Sequence, residues 1–210
     1  MSVFGNSASR EAARIRRNAR RGLWGHVTVW AGCNPQAAAA DVVAARWELG
    51  AKAEKETART LRVLRWRGWR IRHDRRLAGR RFNLDHILVA PCGTAVVVAD
   101  TKRWHAGQDT TVVDGRLWCG REDRTGEADK CARYALLVGE ALGVPVWPLM
   151  IVHGSTVRDG HVQVVTVSGV VQVVAADQAV RILRRAPSGW SWSRARGVAG
   201  RVDEVLAPYR

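Results

Sequence analysis

Three charged residues stand where an apolar strand leaves little room for charge. Asp85 lies within the run Phe82-Asn-Leu-Asp-His-Ile-Leu-Val-Ala90, and Asp100 and Lys102 end the run Thr94-Ala-Val-Val-Val-Ala-Asp-Thr-Lys102. A carboxylate in a half-buried strand is costly unless it is paired or bound to a metal. Asp100 and Lys102 are two residues apart, so their side chains leave the same face of a sheet. Pro91-Cys92-Gly93 between the runs is a turn signal. A hairpin centred between Cys92 and Gly93 sets Asp85 directly across from Asp100, and Asn83 across from Lys102. Opposed residues share a face, with Cβ atoms about 4.5–5.5 Å apart. Two carboxylates that close resist joint ionisation, and a divalent cation removes the conflict. Hard oxygen donors suit Mg²⁺ or Mn²⁺. The same residues also fit a plain structural arrangement, in which Asp85 pairs with an arginine and Asp100-Thr-Lys is a frayed strand end.

Glu54 is a candidate third carboxylate. Trp47, Ala51, Glu54, Ala58 and Leu61 fall on one face of a helical pattern running from about Pro35 to Arg65, and an acid on an apolar face is unusual. The small Gly50 and Ala51 let such a helix approach a sheet closely. The alternative is a surface Glu paired with a nearby Lys or Arg. His86, next to Asp85, points to the opposite sheet face and reads as a structural histidine.

The elements that must position these residues follow from the pattern. Strand-like runs at 69–73, 82–90 and 94–102 come after the first helix, which Gly68 closes. A small hairpin turning at Asp114-Gly115 follows, then an amphipathic helix over 127–142 ended by Gly143 and a buried strand over 146–152. Short Val-rich strands (161–174), a helix at 176–185 and a terminal helix at about 195–207 complete the chain. The order helix, three strands, helix, strand predicts an α/β sandwich on a mixed sheet flanked by helices.

The chain has 210 residues, 47% hydrophobic and 25% charged, which excludes global disorder and suits a sizeable core without disulfides. Cys33, Cys92, Cys119 and Cys131 form no metal-binding pair and read as reduced thiols. The net charge is +15, from 34 basic and 19 acidic residues. Arg outnumbers Lys 30 to 4, which a GC-rich coding bias alone favours, yet no matching acids balance it. An anionic partner is expected, nucleic acid before membrane. Ten Trp are present. Most are expected to pack in the core or at its rim, while Trp66, Trp69 and Trp104 lie among arginines and could stack on bases. No apolar run long enough to span a bilayer occurs, and the first residues lack the apolar core of a signal peptide, so a cytoplasmic location is expected.

The segments Gly50-Ala51-Lys52-Ala53-Glu54, Asn83-Leu84-Asp85-His86 and Asp100-Thr101-Lys102, with Trp104 and Gly107 beyond, resemble the nuclease-related domain (NERD). That family is similar to the PD-(D/E)xK nuclease superfamily. The resemblance covers roughly residues 45–150. Ala53 stands for a second Gly of the family pattern, and Leu84 for Ile. Lys130-Cys-Ala-Arg-Tyr134 matches a Gln-x-x-x-Tyr helix element with Lys in place of Gln, and Lys cannot accept a hydrogen bond as Gln can.

The resemblance implies a restriction-endonuclease-like αβββαβ core. It implies a metal-dependent nuclease acting on DNA, with Asp85, Asp100 and Glu54 as metal ligands, and Lys102 orienting water or stabilising charge on the phosphate. Residues 59–81 hold ten Arg and one acid, Asp74. From these, Arg75, Arg76, Arg80 and Arg81 are the expected phosphate contacts, with Lys130 and Tyr134 from the helix element. A non-catalytic nucleic-acid-binding module on the same fold is the alternative. The expected organisation is a basic segment 1–36, a nuclease-related domain 37–155 and a C-terminal extension 156–210 without a readable motif.

Overall fold

The computed structural model describes residues 6–19, 35–185 and 189–209. Cys33 and the rest of 20–34, part of the expected basic segment, lie outside them. The chain divides into two compact units, Met1–Lys55 with Arg210, and Glu56–Tyr209.

The first unit holds helix α1 (Asn6–Ala19) and most of helix α2 (Pro35–Leu61). Their small residues Ala12, Ala37 and Ala44 are buried. Arg16 of α1 pairs with Glu48 and with Asp41 of α2. Acids of α2 thus offset part of the basic surface of α1.

The second unit is built on a seven-stranded mixed sheet. After α2, a 3-10 turn over Arg62–Arg67 leads into β1 (Arg70–Leu77), β2 (Leu84–Val89) and β3 (Val96–Arg103), an antiparallel meander. A small hairpin follows, β4 (Asp109–Val113) and β5 (Arg116–Cys119), with β6 (Glu122–Asp123) beside it. Asp114 and Gly115 at its tip both have positive φ, 49° and 74°. An Asp-Gly pair takes that conformation readily, and its twist suits a two-residue hairpin. Helix α3 (Thr125–Leu142) crosses to β7 (Val146–His153), which pairs in parallel with β3. Then come β8 (Thr156–Val157), β9 (His161–Thr166), β10 (Gly169–Ala175), the short α4 (Ala179–Leu183), α5 (Trp192–Val205) and β11 (Leu206–Pro208). The sheet order is β11-β1-β2-β3-β7-β10-β9, and β6-β5-β4-β8 form a second, four-stranded sheet. Residues 156–210 therefore supply three of the seven central strands.

Alternation of side chains sorts the core into two layers. On one face Trp69, Ile71, Leu88, Val97, Leu149 and Ile151 pack against Leu61, Leu64 and α4. On the other, Ile87, Val89, Val96 and Val98 pack against α3 and α5. Burying these layers is the main driving force for the unit, at roughly 25 cal/mol per Å² of apolar surface. Among the described residues no helix is long and apolar enough to cross a membrane.

The hairpin joining β2 to β3 has the register its turn predicts. Val89 faces Val96 and His86 faces Ala99, and Ala90 N–H donates to the Ala95 carbonyl at 2.9 Å. Gly93 at the turn has φ 68°, and a Cβ there would lie 2.6 Å from the Ala195 nitrogen. Only glycine lets α5 approach the turn this closely.

Candidate active site

Carried one residue past His86 and Ala99, the register sets Asp85 opposite Asp100. Asp85 accepts the Thr101 backbone N–H through Oδ2 at 2.8 Å. Asp100 and Lys102 leave β3 on one face and form an ion pair at 2.7 Å. All three side chains are half-buried. Asn83, expected across from Lys102, lies outside the paired stretch of β2 and β3. It precedes β2 and donates to Asp74 Oδ1 at 3.4 Å.

The electrostatics of the cluster centre on Lys102. Burial pulls its ammonium toward the neutral form. Attraction by Asp100 and then Asp85, the hydrogen bond to Asp100 and the more distant Glu127 outweigh burial and hold its pKa above the ordinary lysine value. Lys102 is therefore a fixed positive charge at neutral pH. It is not a proton acceptor.

Helix α3 roofs this face. Cys131 is buried, with its thiol 3.7 Å from the Leu149 carbonyl. Burial pushes that thiol up, and so do Asp100 and Asp85, with Lys102 opposing. Glu127, in the first turn of α3, is held by Arg124 at 2.6 Å. Neither Cys131 nor Glu127 is marked as a site neighbour by sequence spacing. Only the docking of α3 brings them there.

Behind the cluster, Thr101 connects the two sheet faces. Its backbone N–H serves Asp85, while its hydroxyl meets His86 Nε2 at 3.1 Å on the opposite face. His86 Nδ1 in turn lies 2.7 Å from His73 Nδ1. One ring carries the shared proton and the other accepts it. Burial, with repulsion by Arg65 and Arg75, lowers His73 to about 4. Burial also drives His86 well below its ordinary value, helped by His73. Both are neutral, so His86 is the structural histidine its position on the strand predicts.

The remaining expected residues fall into distinct settings. Arg75 is committed to structure: it donates to the Leu206 carbonyl and to Asp203, each at 3.1 Å. Arg76, Arg80 and Arg81 are exposed. Lys130 lies 5.6 Å from the centre of the Tyr134 ring, one turn apart on α3. Tyr134 stacks on Phe82, with ring centres 4.0 Å apart and planes 11° from parallel. That stack ties the Arg80-Arg81-Phe82 loop to α3, three residues before Asp85. Of the three tryptophans that lie among arginines, Trp69 and Trp104 are buried, as core packing places them, and Trp66 is open. Glu54 is half-buried on α2, in the first unit.

A sequence profile settles the kinship. The nuclease-related domain profile matches residues 49–153. The chain belongs to the nuclease-related domain family. Comparison with curated proteins and with solved structures returned no match. The match spans β1 to β7, the stretch that carries all of the NERD cluster built on β2 and β3.

The donor set fits a divalent cation in part. Asp100 Oδ2 is buried, and the group that meets it, 2.7 Å away, is the Lys102 ammonium. Mg²⁺ is commonly held by one or two carboxylates, with water and substrate phosphate completing its shell, and two opposed aspartates supply that number. Among the described residues no group of three or more His, Cys, Asp and Glu side chains is arranged to hold a metal.

Proposed function

We propose that the protein is a divalent-metal-dependent phosphodiesterase that cleaves nucleic acid, DNA in the first instance. The observation that carries this reading is the convergence of Asp85, Asp100 and Lys102 on one sheet face beneath α3. Asp85 and Asp100 would hold Mg²⁺ or Mn²⁺, with water and substrate phosphate completing the shell. Bound there, the metal supplies Lewis-acid polarisation of a phosphate oxygen and a more acidic water. The chain's own part is electrostatic and positional. Lys102, kept charged by the two aspartates, stabilises negative charge gathering on the phosphate. Thr101 N–H holds Asp85 in place. Arg76, Arg80, Arg81 and Lys130 supply charge along the approach to the site. Contacts of that kind position the backbone and carry no base information.

The test is cleavage of single- and double-stranded DNA and of RNA with Mg²⁺, Mn²⁺ or EDTA. Metal-dependent cleavage by the wild type and its loss in Asp100→Ala and Lys102→Ala is the expected result. Cleavage that persists at full rate in Asp100→Ala overturns the assignment.

A second reading, a non-catalytic nucleic-acid-binding module, is favoured by one observation. The described residues offer two opposed carboxylates and no third ligand grouped with them. Tight binding with no turnover in any metal would establish it.

A further inference from the structure

The end of the sheet opposite the carboxylates carries an aromatic and basic surface that the cleavage site does not use. Trp190 and Trp192 are 62% and 61% exposed. Their ring centres are 6.2 Å apart. Both are held in place from behind. Trp190 lies against Gly68, where even a Cβ would come within 2.9 Å of its ring. Ser191 N–H, between them, donates to the Pro91 carbonyl at 3.0 Å. Arg70 places its guanidinium 5.6 Å from the centre of the Trp192 ring. Two residues before Gly68, Trp66 is 91% exposed.

The stretches of chain that carry these rings are basic and free of acids. No Asp or Glu occurs between Glu56 and Asp74, where there are six Arg, nor between Asp177 and Asp203, where there are six more. Both acid-free stretches meet at this surface, since Gly68 of the first lies against Trp190 of the second and Arg70 of the first lies over the Trp192 ring. An exposed indole pair beside arginines costs solvation without a partner. Its chemistry suits one kind of partner closely: flat apolar rings for bases and guanidinium groups for the phosphates between them. A duplex keeps its bases stacked inside and offers nothing to the indoles.

We infer that Trp190 and Trp192, flanked by Arg70 and Arg194, form a second nucleic-acid site that stacks unpaired bases of a single strand. The inference rests on reading the chain as a nucleic-acid-binding protein and extends it to the form of the substrate. Six residues of extended chain separate Asp85 from Pro91, about 20 Å at roughly 3.3 Å per residue. A single strand held at the indoles therefore lies one sheet length from the carboxylates. Substrates with an unpaired segment beside the scissile bond are the ones that engage both.

The experiment measures binding apart from cleavage. Fluorescence anisotropy in EDTA compares the full chain on a labelled dT strand of about fifteen nucleotides, several times the smallest single-strand site, and on a blunt duplex. The Trp190→Ala/Trp192→Ala variant is expected to lose at least about tenfold in single-strand affinity, the size expected for one missing base stack. Its duplex affinity should change less than about twofold. Trp190→Phe/Trp192→Phe keeps aromatic faces and should bind the single strand near the wild-type level, which separates stacking from misfolding. An unchanged single-strand affinity in the Ala variant overturns the inference, as does an equal loss on both probes. A change of sedimentation between wild type and Ala variant, with unchanged DNA binding, overturns it in favour of a protein partner or a second copy. Single-strand loss in the Ala variant upholds the inference even where no cleavage is seen in any metal, so the two readings fail separately.

Discussion

Replacing His73 with Gln removes one half-buried, titratable imidazole and leaves an amide able to meet His86 Nδ1. Burial and the nearby Arg65 and Arg75 lower the His73 pKa from 6.5 to about 4 in the folded protein. In the unfolded chain it returns to about 6.5. The unfolded chain therefore takes up the proton first. The stability associated with a neutral His73 is complete above pH 6.5 and drains away as pH falls toward 4. At about 1.4 kcal/mol per pH unit, His73 alone accounts for a loss of about 2 kcal/mol between pH 7 and pH 5. His86 shifts in the same direction, so the wild type loses more than this. Urea unfolding followed by tryptophan fluorescence at pH 7, 6 and 5 gives the slope for wild type and His73→Gln. Most carboxylates have finished titrating above pH 5, so the window isolates histidine. The stability drop across it should be smaller in the variant by about 2 kcal/mol. Parallel slopes for the two proteins would refute a neutral imidazole pair behind Thr101.

Four further outcomes follow from geometry. Lys102→Met leaves Asp85 and Asp100 facing each other without the ammonium; cleavage should vanish, and Mn²⁺ should raise Tm more in the variant than in wild type, whereas equal shifts in differential scanning fluorimetry would show that Lys102 does not offset the carboxylates. Arg75→Ala removes bonds to Asp203 and the Leu206 carbonyl and should cost about 1–3 kcal/mol in urea titration; Arg80→Ala/Arg81→Ala should leave stability within about 0.5 kcal/mol and instead reduce the salt slope of duplex binding, by about 0.9 for each phosphate no longer neutralised. Gly93→Ala meets both a positive φ and the Ala195 backbone, so a loss of about 3 kcal/mol is expected, and a wild-type melting curve would show that the turn and α5 give way.

The parts legible in the sequence are those with a strong local signal. The apolar runs, the two turns and the helix punctuated by Gly143 locate β2, β3, β7 and α3, and the turn at Cys92-Gly93 determines which aspartates face each other. Strands β6, β8 and β11 have two or three residues each, too few for alternation to register. The role of Arg75 is illegible because its partners lie some 130 positions away on α5 and β11. Trp69 and Trp104 could stack on bases by their arginine neighbours, but packing into the core buries them, while Trp190 and Trp192 sit in a segment without a motif. Cys131 and Glu127 become site neighbours only through the docking of α3.

The parallel pairing of β3 with β7 also bears on how the chain comes to fold. The meander β1-β2-β3 closes through short turns and needs only local contacts. Between β3 and its other neighbour the chain must first complete the small hairpin and all of α3. Non-local parallel pairing is slow, because loop-closure entropy is spent before the contacts form. Until β7 arrives, Val96-Val97-Val98-Ala99 presents an open, apolar strand edge, the kind that joins other chains and aggregates. The charges that end this strand, Asp100, Lys102 and Arg103, are the sort of residues that guard such an edge. Neutralising Asp100 and Lys102 together should therefore lower the yield of soluble protein during synthesis more than it lowers the stability of the protein once folded.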